Sequence, residues 1–263
     1  MNSQRFQKLL FICLLSLLFI LFAGCNQNSA PPNDQSRSAP AQASAGTPID
    51  ASTTGSISGT ITFAGTTPPR ATIDMGMDAG CALAANGPNL AEAVIVNKDK
   101  LENVFVYVKE GLEGYAIPKP TQPAVLDQVG CRYTPHVLGL VAGQTLRILN
   151  SDNTMHNVHP VPQNNPQWNE SQMPKGEPKE RTFANPELLL PITCNQHPWM
   201  KMYVNVVSNP FFAVSDGNGN FNIQGLPPGT YTIAAVHEKL GTQEIKITVA
   251  GKQNQAANFA FKQ

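Results

Sequence analysis

The stretch TCNQHPWM, residues 193–200, contains a thiol, an imidazole and a thioether at regular spacing. Cys194, His197 and Met200 stand three positions apart, and the run from Tyr203 to Val207 that follows them is typical of a β-strand. A loop that joins two strands can bring three such side chains around one ion. We therefore predict a metal-binding loop at residues 194–200.

A second imidazole comes from the stretch NSDNTMHNVH, residues 150–159, in which His156 would reach the ion from a neighbouring strand end. One thiolate, two imidazoles and one thioether form a soft nitrogen–sulfur set, which suits copper cycling between Cu(I) and Cu(II). Zinc accepts cysteine and histidine, but a thioether is not among its usual ligands. The sequence thus predicts one mononuclear copper ion with the ligands His156, Cys194, His197 and Met200.

Short segments that alternate between apolar and polar residues follow one another from Ser56 onwards, with turn signals between them. Alternation of period two predicts β-strands, and several short strands at this spacing predict β-sandwiches. Residues 163–182 lack periodicity, so a long surface loop is expected there. The predicted fold class is all-β.

Residues 194–200 closely resemble the copper-binding loop of the amicyanin-like proteins in the cupredoxin family. Residues 155–159 resemble the segment of that family that carries its first ligand. The resemblance extends over residues 124–207, and it implies one Greek-key β-sandwich, the cupredoxin domain, with a blue, type 1 copper centre.

The same resemblance implies that His156 and His197 are the equatorial ligands, that Cys194 is the covalent anchor and that Met200 is the axial ligand. It also implies that Asn157 ties the two ligand segments together by hydrogen bonds. Met202 remains an alternative axial ligand, because its spacing from the second histidine occurs in plastocyanin-like loops.

A second resemblance concerns the C-terminal segment. Residues 216–223 and 225–231, DGNGNFNI and GLPPGTY, look like the carboxypeptidase regulatory-like, transthyretin-like β-sandwich, and residues 55–61 look like its first strand. We predict that residues 56–123 and 208–263 form this sandwich, with the cupredoxin domain inserted. The sequence contains no His-x-x-Glu or His-Glu-x-x-His pair, so no peptidase activity is implied.

An uncharged apolar run from Leu9 to Phe22 follows two basic residues at the N-terminus, as in a secretory signal. The run is shorter than the roughly 20 residues of a membrane span. It ends in LFAGC, residues 21–25, which resembles a bacterial lipobox. Residues 1–24 are therefore predicted to be a lipoprotein signal peptide and Cys25 the lipidated residue. An uncleaved anchor helix or an ordinary signal peptide remains the alternative.

Residues 25–55 are rich in small and polar side chains, which predicts a flexible tether. We expect the folded part to lie in the periplasm or cell envelope, anchored to the membrane by lipid. Because that compartment is oxidising, Cys81 and Cys131 are predicted to form a disulfide, which leaves Cys194 free for metal. Alternatively, Cys81 or Cys131 is a reactive thiol or a second metal ligand.

The sequence contains 18 basic and 18 acidic residues, and this balance argues against nucleic acid as a partner. Two histidines and one cysteine with a weak axial methionine form the arrangement of electron-transfer copper sites. We therefore predict single-electron transfer between redox partner proteins. We predict no enzymatic activity, because copper enzymes that connect such a site to a second copper centre have histidine next to the copper-binding cysteine, whereas Thr193 and Asn195 flank Cys194. Copper storage or delivery, and a structural metal in an interaction module, remain alternatives.

Overall fold

The computed structural model describes residues 46–84 and 88–263. The predicted signal peptide, Cys25 and the predicted tether up to residue 45 lie outside the described residues. The regular secondary structure of the described ranges is almost entirely β-strand, with one short helix, α1 (Ala79–Ala84), so the predicted all-β class is confirmed. No helix in these ranges is long and apolar enough to cross a membrane.

The strands of the described ranges are, in chain order, β1 (Thr47–Pro48), β2 (Gly55–Ala64), β3 (Val96–Asn97), β4 (Lys100–Leu101), β5 (Phe105–Glu110), β6 (Tyr115–Ala116), β7 (Ala124–Gln128), β8 (Tyr133–Thr134), β9 (Val137–Val141), β10 (Thr145–Asn150), β11 (His156–Pro160), β12 (Glu170–Gln172), β13 (Lys179–Thr182), β14 (Glu187–Thr193), β15 (Lys201–Val207), β16 (Phe212–Val214), β17 (Asn220–Leu226), β18 (Gly229–His237), β19 (Gly241–Val249), β20 (Asn254–Ala256) and β21 (Phe259–Lys262).

Two sheets take all their strands from the middle of the chain. One has the strand order β13-β10-β7-β8, and the other has the order β12-β11-β14-β15-β9. Strands β7 and β10 run parallel, as do β9 and β15, whereas β14 is antiparallel to both of its neighbours. Apolar side chains from both sheets share one buried core, which includes Leu126, Ile148, Val158, Ile192 and Val204.

Two other sheets are built from strands on either side of that middle part. Their strand orders are β16-β5-β18-β19 and β17-β2-β4-β3, and β20 and β21 also pair with β2. The alternation that the sequence shows in these strands corresponds to their burial, because every second side chain points into a separate core that includes Ile57, Ile61, Ile223, Ile233 and Phe261.

The segment between β2 and β3 departs from the predicted division of the chain. The sequence predicts that residues 56–123 belong to the second sandwich, yet Met75 and Cys81 are buried in the core of the middle sheets. Cys81 is bonded to Cys131 there, with a Cα–Cα distance of 5.5 Å, so the predicted disulfide is confirmed. The segment has little strand periodicity, and the disulfide joins it to the middle part of the chain. The remaining domain boundaries stay predictions.

The predicted tether ends earlier than expected. Thr47–Pro48 pairs in parallel with Tyr115–Ala116, and Ile49 packs against the core that contains Ile57. A pairing of two residues leaves no periodic pattern in the sequence, which is why residues 46–55 resembled the polar segment before them.

The predicted long loop at residues 163–182 is also wrong in part, because it contains β12 and β13. Gln172 in β12 is buried, and its amide donates hydrogen bonds to the carbonyl oxygens of Ile148 and Glu177 and accepts one from Gln128. Because a polar side chain with hydrogen-bond partners inside the protein takes a buried position here, the strand lacks the usual alternation of apolar and polar residues.

Gly139 in β9 lies against aromatic rings from the second pair of sheets. A Cβ atom at this position would stand 2.5 Å from Phe212 Cε2 and 2.6 Å from Phe105 Cε2. Phe105 also forms a small buried cluster with Val137 and Val207, which belong to β9 and β15. The missing side chain therefore allows the rings to close against β9.

Gly139→Ala is expected to lower the free energy of unfolding by about 1–3 kcal/mol, because the new methyl group must displace packed rings. Urea denaturation measures the change. Gly217→Ala is the matched control, since the nearest atom to its Cβ would be Glu102 Oε2 at 3.6 Å, and a change within about 0.5 kcal/mol is expected there. Equal losses in the two variants would contradict a tight contact at Gly139.

Candidate metal centre

The candidate ligands come from the ends of three adjoining strands. β14 ends at Thr193 and β15 begins at Lys201, so residues 194–200 form the loop between them. β11 pairs with β14 so that His159 stands opposite Thr193, and His156 begins β11. This register brings His156 to the end of the sheet where the loop lies.

The thiol and the two imidazoles meet inside the protein. The ligand atoms of His156, Cys194 and His197 all lie within 4.8 Å of one another. His156 Nδ1 and His197 Nδ1 are 2.9 Å apart, and Cys194 Sγ is 3.7 Å from His197 Nδ1. The three side chains are 0%, 3% and 3% exposed, respectively, so water has almost no access to them.

These distances fit one ion. With a metal–nitrogen distance of about 2.0 Å, two nitrogens 2.9 Å apart subtend an angle of roughly 90° at the metal. With a metal–sulfur distance of about 2.3 Å, a sulfur 3.7 Å from His197 Nδ1 subtends roughly 120°. The second angle is that of a trigonal site, whereas the first is smaller than in an ideal trigonal or tetrahedral site.

Met200 closes the loop through its backbone. Its N–H donates a hydrogen bond to the carbonyl oxygen of His197, and its own carbonyl oxygen accepts one from the N–H of Cys194. The side chain is buried in the same core as the cysteine. Met202 is buried in that core as well, but it lies on β15 opposite Ile192 and is one strand position removed from the loop. The assignment of Met200 as axial ligand remains a prediction.

Asn157 connects the two ligand segments. Its Oδ1 accepts a hydrogen bond from the N–H of Asn195 at 2.8 Å and lies 3.3 Å from Cys194 Sγ. Tyr133, which is fully buried, donates a hydrogen bond from its hydroxyl group to the carbonyl oxygen of Asn157. Sequence reasoning singled out the asparagine but missed the tyrosine, which carries no recognisable motif.

Each histidine has a carboxylate at its outer nitrogen. Asp152 Oδ2 lies 2.9 Å from His156 Nε2, and Asp78 Oδ2 lies 3.2 Å from His197 Nε2. The backbone N–H of Cys81 stabilises the charged form of Asp78, and together with its side-chain partners it lowers the pKa of this carboxyl group to about 2. A charged carboxylate accepts Nε2–H, which directs the lone pair of Nδ1 towards the centre.

Sequence reasoning missed Asp78. The residue directly precedes α1, and its Oδ1 accepts a hydrogen bond from the N–H of Cys81, as expected of a helix N-cap. A cap of this kind can be inferred from sequence. Its second contact, with a histidine 119 residues further along the chain, cannot.

Trp199 is half-buried and covers one side of the site. Its ring centroid is 5.1 Å from that of His197, and its Nε1–H donates a hydrogen bond to the carbonyl oxygen of Cys131. The indole is therefore fixed between the ligand loop and the disulfide.

The surroundings of Cys194 lower the pKa of its thiol. Burial raises its pKa, but hydrogen bonds with the His156 ring and with the backbone of Asn157, His197 and Gln196 outweigh this effect and bring the pKa from 9.0 to about 6. Burial lowers the pKa of His156, whereas Asp152 and Cys194 raise it, with a net value of about 9. Metal-free protein at neutral pH thus holds a thiolate beside an imidazolium, and a metal ion would displace the imidazolium proton.

A comparison with known protein families agrees with the resemblance of the C-terminal segment. The sequence model of the carboxypeptidase regulatory-like domain matches residues 201–262, which begins in β15 and so before the predicted boundary at 208. No curated protein matches the chain.

Among solved structures, the chain is similar to a mutant of amicyanin in its reduced Cu(I) form, with 22% identity and a TM-score of 0.30, over 33% of this chain and 84% of that one. It is similar to the purple cupredoxin from Nitrosopumilus maritimus, with 23% identity and a TM-score of 0.27, over 32% and 98%. A Cu-containing nitrite reductase from Thermus scotoductus SA-01 matches with 24% identity and a TM-score of 0.30, over 32% of this chain and only 22% of the reductase. The first two of these neighbours are cupredoxins.

The ionisation of Cys194 can be measured in metal-free protein. Thiolate absorbance near 240 nm is expected to persist as the pH falls and to be lost around pH 6, because the folded-state pKa is lowered to about that value. The stabilisation from this ionisation is complete above the unfolded pKa and disappears as the pH falls through the folded one. Cys194→Ser supplies the baseline, and a thiol that titrates near an ordinary cysteine pKa would contradict the hydrogen-bond pattern.

Proposed function

We propose that this chain is an electron carrier that binds one mononuclear type 1 copper ion through His156, Cys194 and His197, with Met200 as axial ligand. The observation that supports this most strongly is the meeting of one thiol and two imidazoles inside the protein, with their ligand atoms within 4.8 Å of one another and the two Nδ1 atoms 2.9 Å apart. Copper in such a site supplies one-electron chemistry by alternating between Cu(II) and Cu(I).

The surrounding residues would make that chemistry fast by holding the donors still. Asn157 fixes the spacing of the two ligand segments, and the loop hydrogen bonds of Met200 fix the turn between Cys194 and His197. Ligands that keep the same positions in both oxidation states reduce the reorganisation that accompanies each electron. Burial of the donors excludes water from the site.

The same burial argues against catalysis. A catalytic metal site keeps an open position for water or substrate, whereas the three donors here are at most 3% exposed. An electron can reach a buried centre through a short protein barrier, but a substrate cannot. The partner that we propose is another redox protein, which would dock on the side where the half-buried Trp199 lies against His197.

Copper loading tests the proposal. With one equivalent of Cu(II), the protein is expected to show intense visible absorption from sulfur-to-copper charge transfer, narrow hyperfine splitting in its electron paramagnetic resonance spectrum and reversible voltammetry. Met200→Leu should raise the reduction potential, since loss of a donor disfavours Cu(II), and Met202→Leu should leave the potential unchanged. A shift in Met202→Leu alone would transfer the axial role to that residue.

The alternative role in copper storage or delivery predicts a different result. A store or chaperone gives up Cu(I) quickly to a competing chelator, whereas an electron carrier with a buried centre retains it. Rapid loss of Cu(I) to bathocuproine disulfonate, together with irreversible voltammetry, would overturn the proposed function.

We further propose that the chain is a lipoprotein of the cell envelope, attached through Cys25. The disulfide between Cys81 and Cys131 supports an oxidising compartment. Metabolic labelling with palmitate is expected to mark the wild-type chain and Cys13→Ala but not Cys25→Ala, because only the lipobox cysteine would carry the lipid. Label that remains on Cys25→Ala would contradict the anchor.

A further inference from the structure

The two carboxylates behind the histidines are connected to each other through the disulfide. Asp78 Oδ1 accepts a hydrogen bond from the backbone N–H of Cys81 at 3.0 Å. Asp152 Oδ2 accepts one from the backbone N–H of Cys131 at 2.8 Å. Since Cys81 is bonded to Cys131, one covalent unit holds a carboxylate behind each ring.

The contact on the side of His197 is made by a segment distant in sequence. Asp78 lies directly before α1, and its Oδ2 contacts His197 Nε2 at 3.2 Å and accepts a hydrogen bond from the hydroxyl group of Thr154 at 3.0 Å. The imidazole of His197 is 3% exposed. The segment around α1 therefore lies against the outer edge of this ring.

The contact on the side of His156 is held more firmly. Asp152 accepts backbone hydrogen bonds from Gly130 and Cys131 and meets His156 Nε2 at 2.9 Å. The residue is buried and belongs to the same segment as the histidine. Without the disulfide, this carboxylate would keep its Gly130 contact, whereas Asp78 would lose its covalent connection to the site.

We propose that Asp78 is a positioning residue for His197, and that the Cys81–Cys131 disulfide holds it in place so that both histidines present Nδ1 to the centre before a metal arrives. The carboxylate accepts the Nε2–H of His197 and thereby leaves Nδ1 free of a proton. The inference concerns the same site as the proposed function, but its first readout requires no copper.

Asp78→Asn separates this role from that of the helix cap. Asparagine caps a helix as well as aspartate does, so its Oδ1 can keep the hydrogen bond from the N–H of Cys81. The amide nitrogen then faces His197 Nε2 where the carboxylate oxygen stood, and it is a donor. The ring then accepts through Nε2 and carries its proton on Nδ1, the nitrogen that would bind the metal, and His156 Nδ1 becomes the acceptor of that proton.

Nitrogen-15 NMR of histidine-labelled, metal-free protein at one fixed pH reads this tautomer directly. Wild-type His197 is expected to carry the proton on Nε2, and Asp78→Asn is expected to move it to Nδ1. Asp74→Asn is the matched control, because this exposed residue of the same segment accepts the N–H of Gly76 and, among the described residues, has no hydrogen bond to a ligand histidine. An unchanged His197 tautomer in Asp78→Asn, or the same change in Asp74→Asn, would overturn the inference.

Metal affinity is the second readout. Loss of such a ligand-orienting partner reduces metal affinity by about 10- to 100-fold, so Asp78→Asn should bind Cu(II) at least about 10-fold more weakly than wild type, and Asp74→Asn should not. A protein that fails to bind copper at all would refute the proposed function, while the tautomer would still decide the inference about Asp78.

The role of the disulfide is tested by a double-mutant cycle. In the Cys81→Ala/Cys131→Ala background, Asp78→Asn should have a much smaller effect on the His197 tautomer, because the carboxylate is no longer held at the ring. Equal effects in both backgrounds would contradict the role of the disulfide. If the disulfide-free protein does not fold by circular dichroism, the comparison of Asp78→Asn with Asp74→Asn decides the positioning role.

Discussion

The pairing of β11 with β14 is the constraint on which the site depends. It sets His159 opposite Thr193, and from that register the first histidine of β11 and the cysteine after β14 must emerge at the same end of the sheet. A shift by one residue would turn His156 to the other face of the strand. Asn157 secures the register at the site itself, because its side chain accepts the N–H of Asn195 across the two segments.

Bringing three donors together inside a protein has an electrostatic cost that must be offset. Two Nδ1 atoms 2.9 Å apart require a proton or a cation between them. In the metal-free protein a proton satisfies this need, with the thiolate of Cys194 and the carboxylate of Asp152 as counter-charges, which explains the raised pKa of His156. The metal-free arrangement thus already contains a positive charge where a metal cation would lie.

The sequence predicted the parts of this arrangement that are local. The loop at 194–200, His156 and the role of Asn157 could be recognised because each lies in a short motif, and the strands of the C-terminal sheets could be recognised because their burial alternates. The disulfide followed from the compartment and the number of cysteines. Asp78 could not be foreseen as a neighbour of His197, because the two are 119 residues apart and the segment that carries Asp78 has little strand periodicity. The strand at Gln172 could not be predicted for a different reason, because hydrogen bonds replace apolar packing at its buried position.

The central claim is that one sulfur and two imidazole nitrogens bind the same copper ion. X-ray absorption at the copper K-edge of the Cu(I)-loaded protein measures this most directly, since sulfur and nitrogen scatterers separate by distance. The account predicts one short copper–sulfur contact and two copper–nitrogen contacts with the multiple-scattering pattern of imidazole, and loss of the short sulfur contact in Cys194→Ser. A copper ion surrounded only by oxygen and nitrogen in the wild-type protein would contradict it.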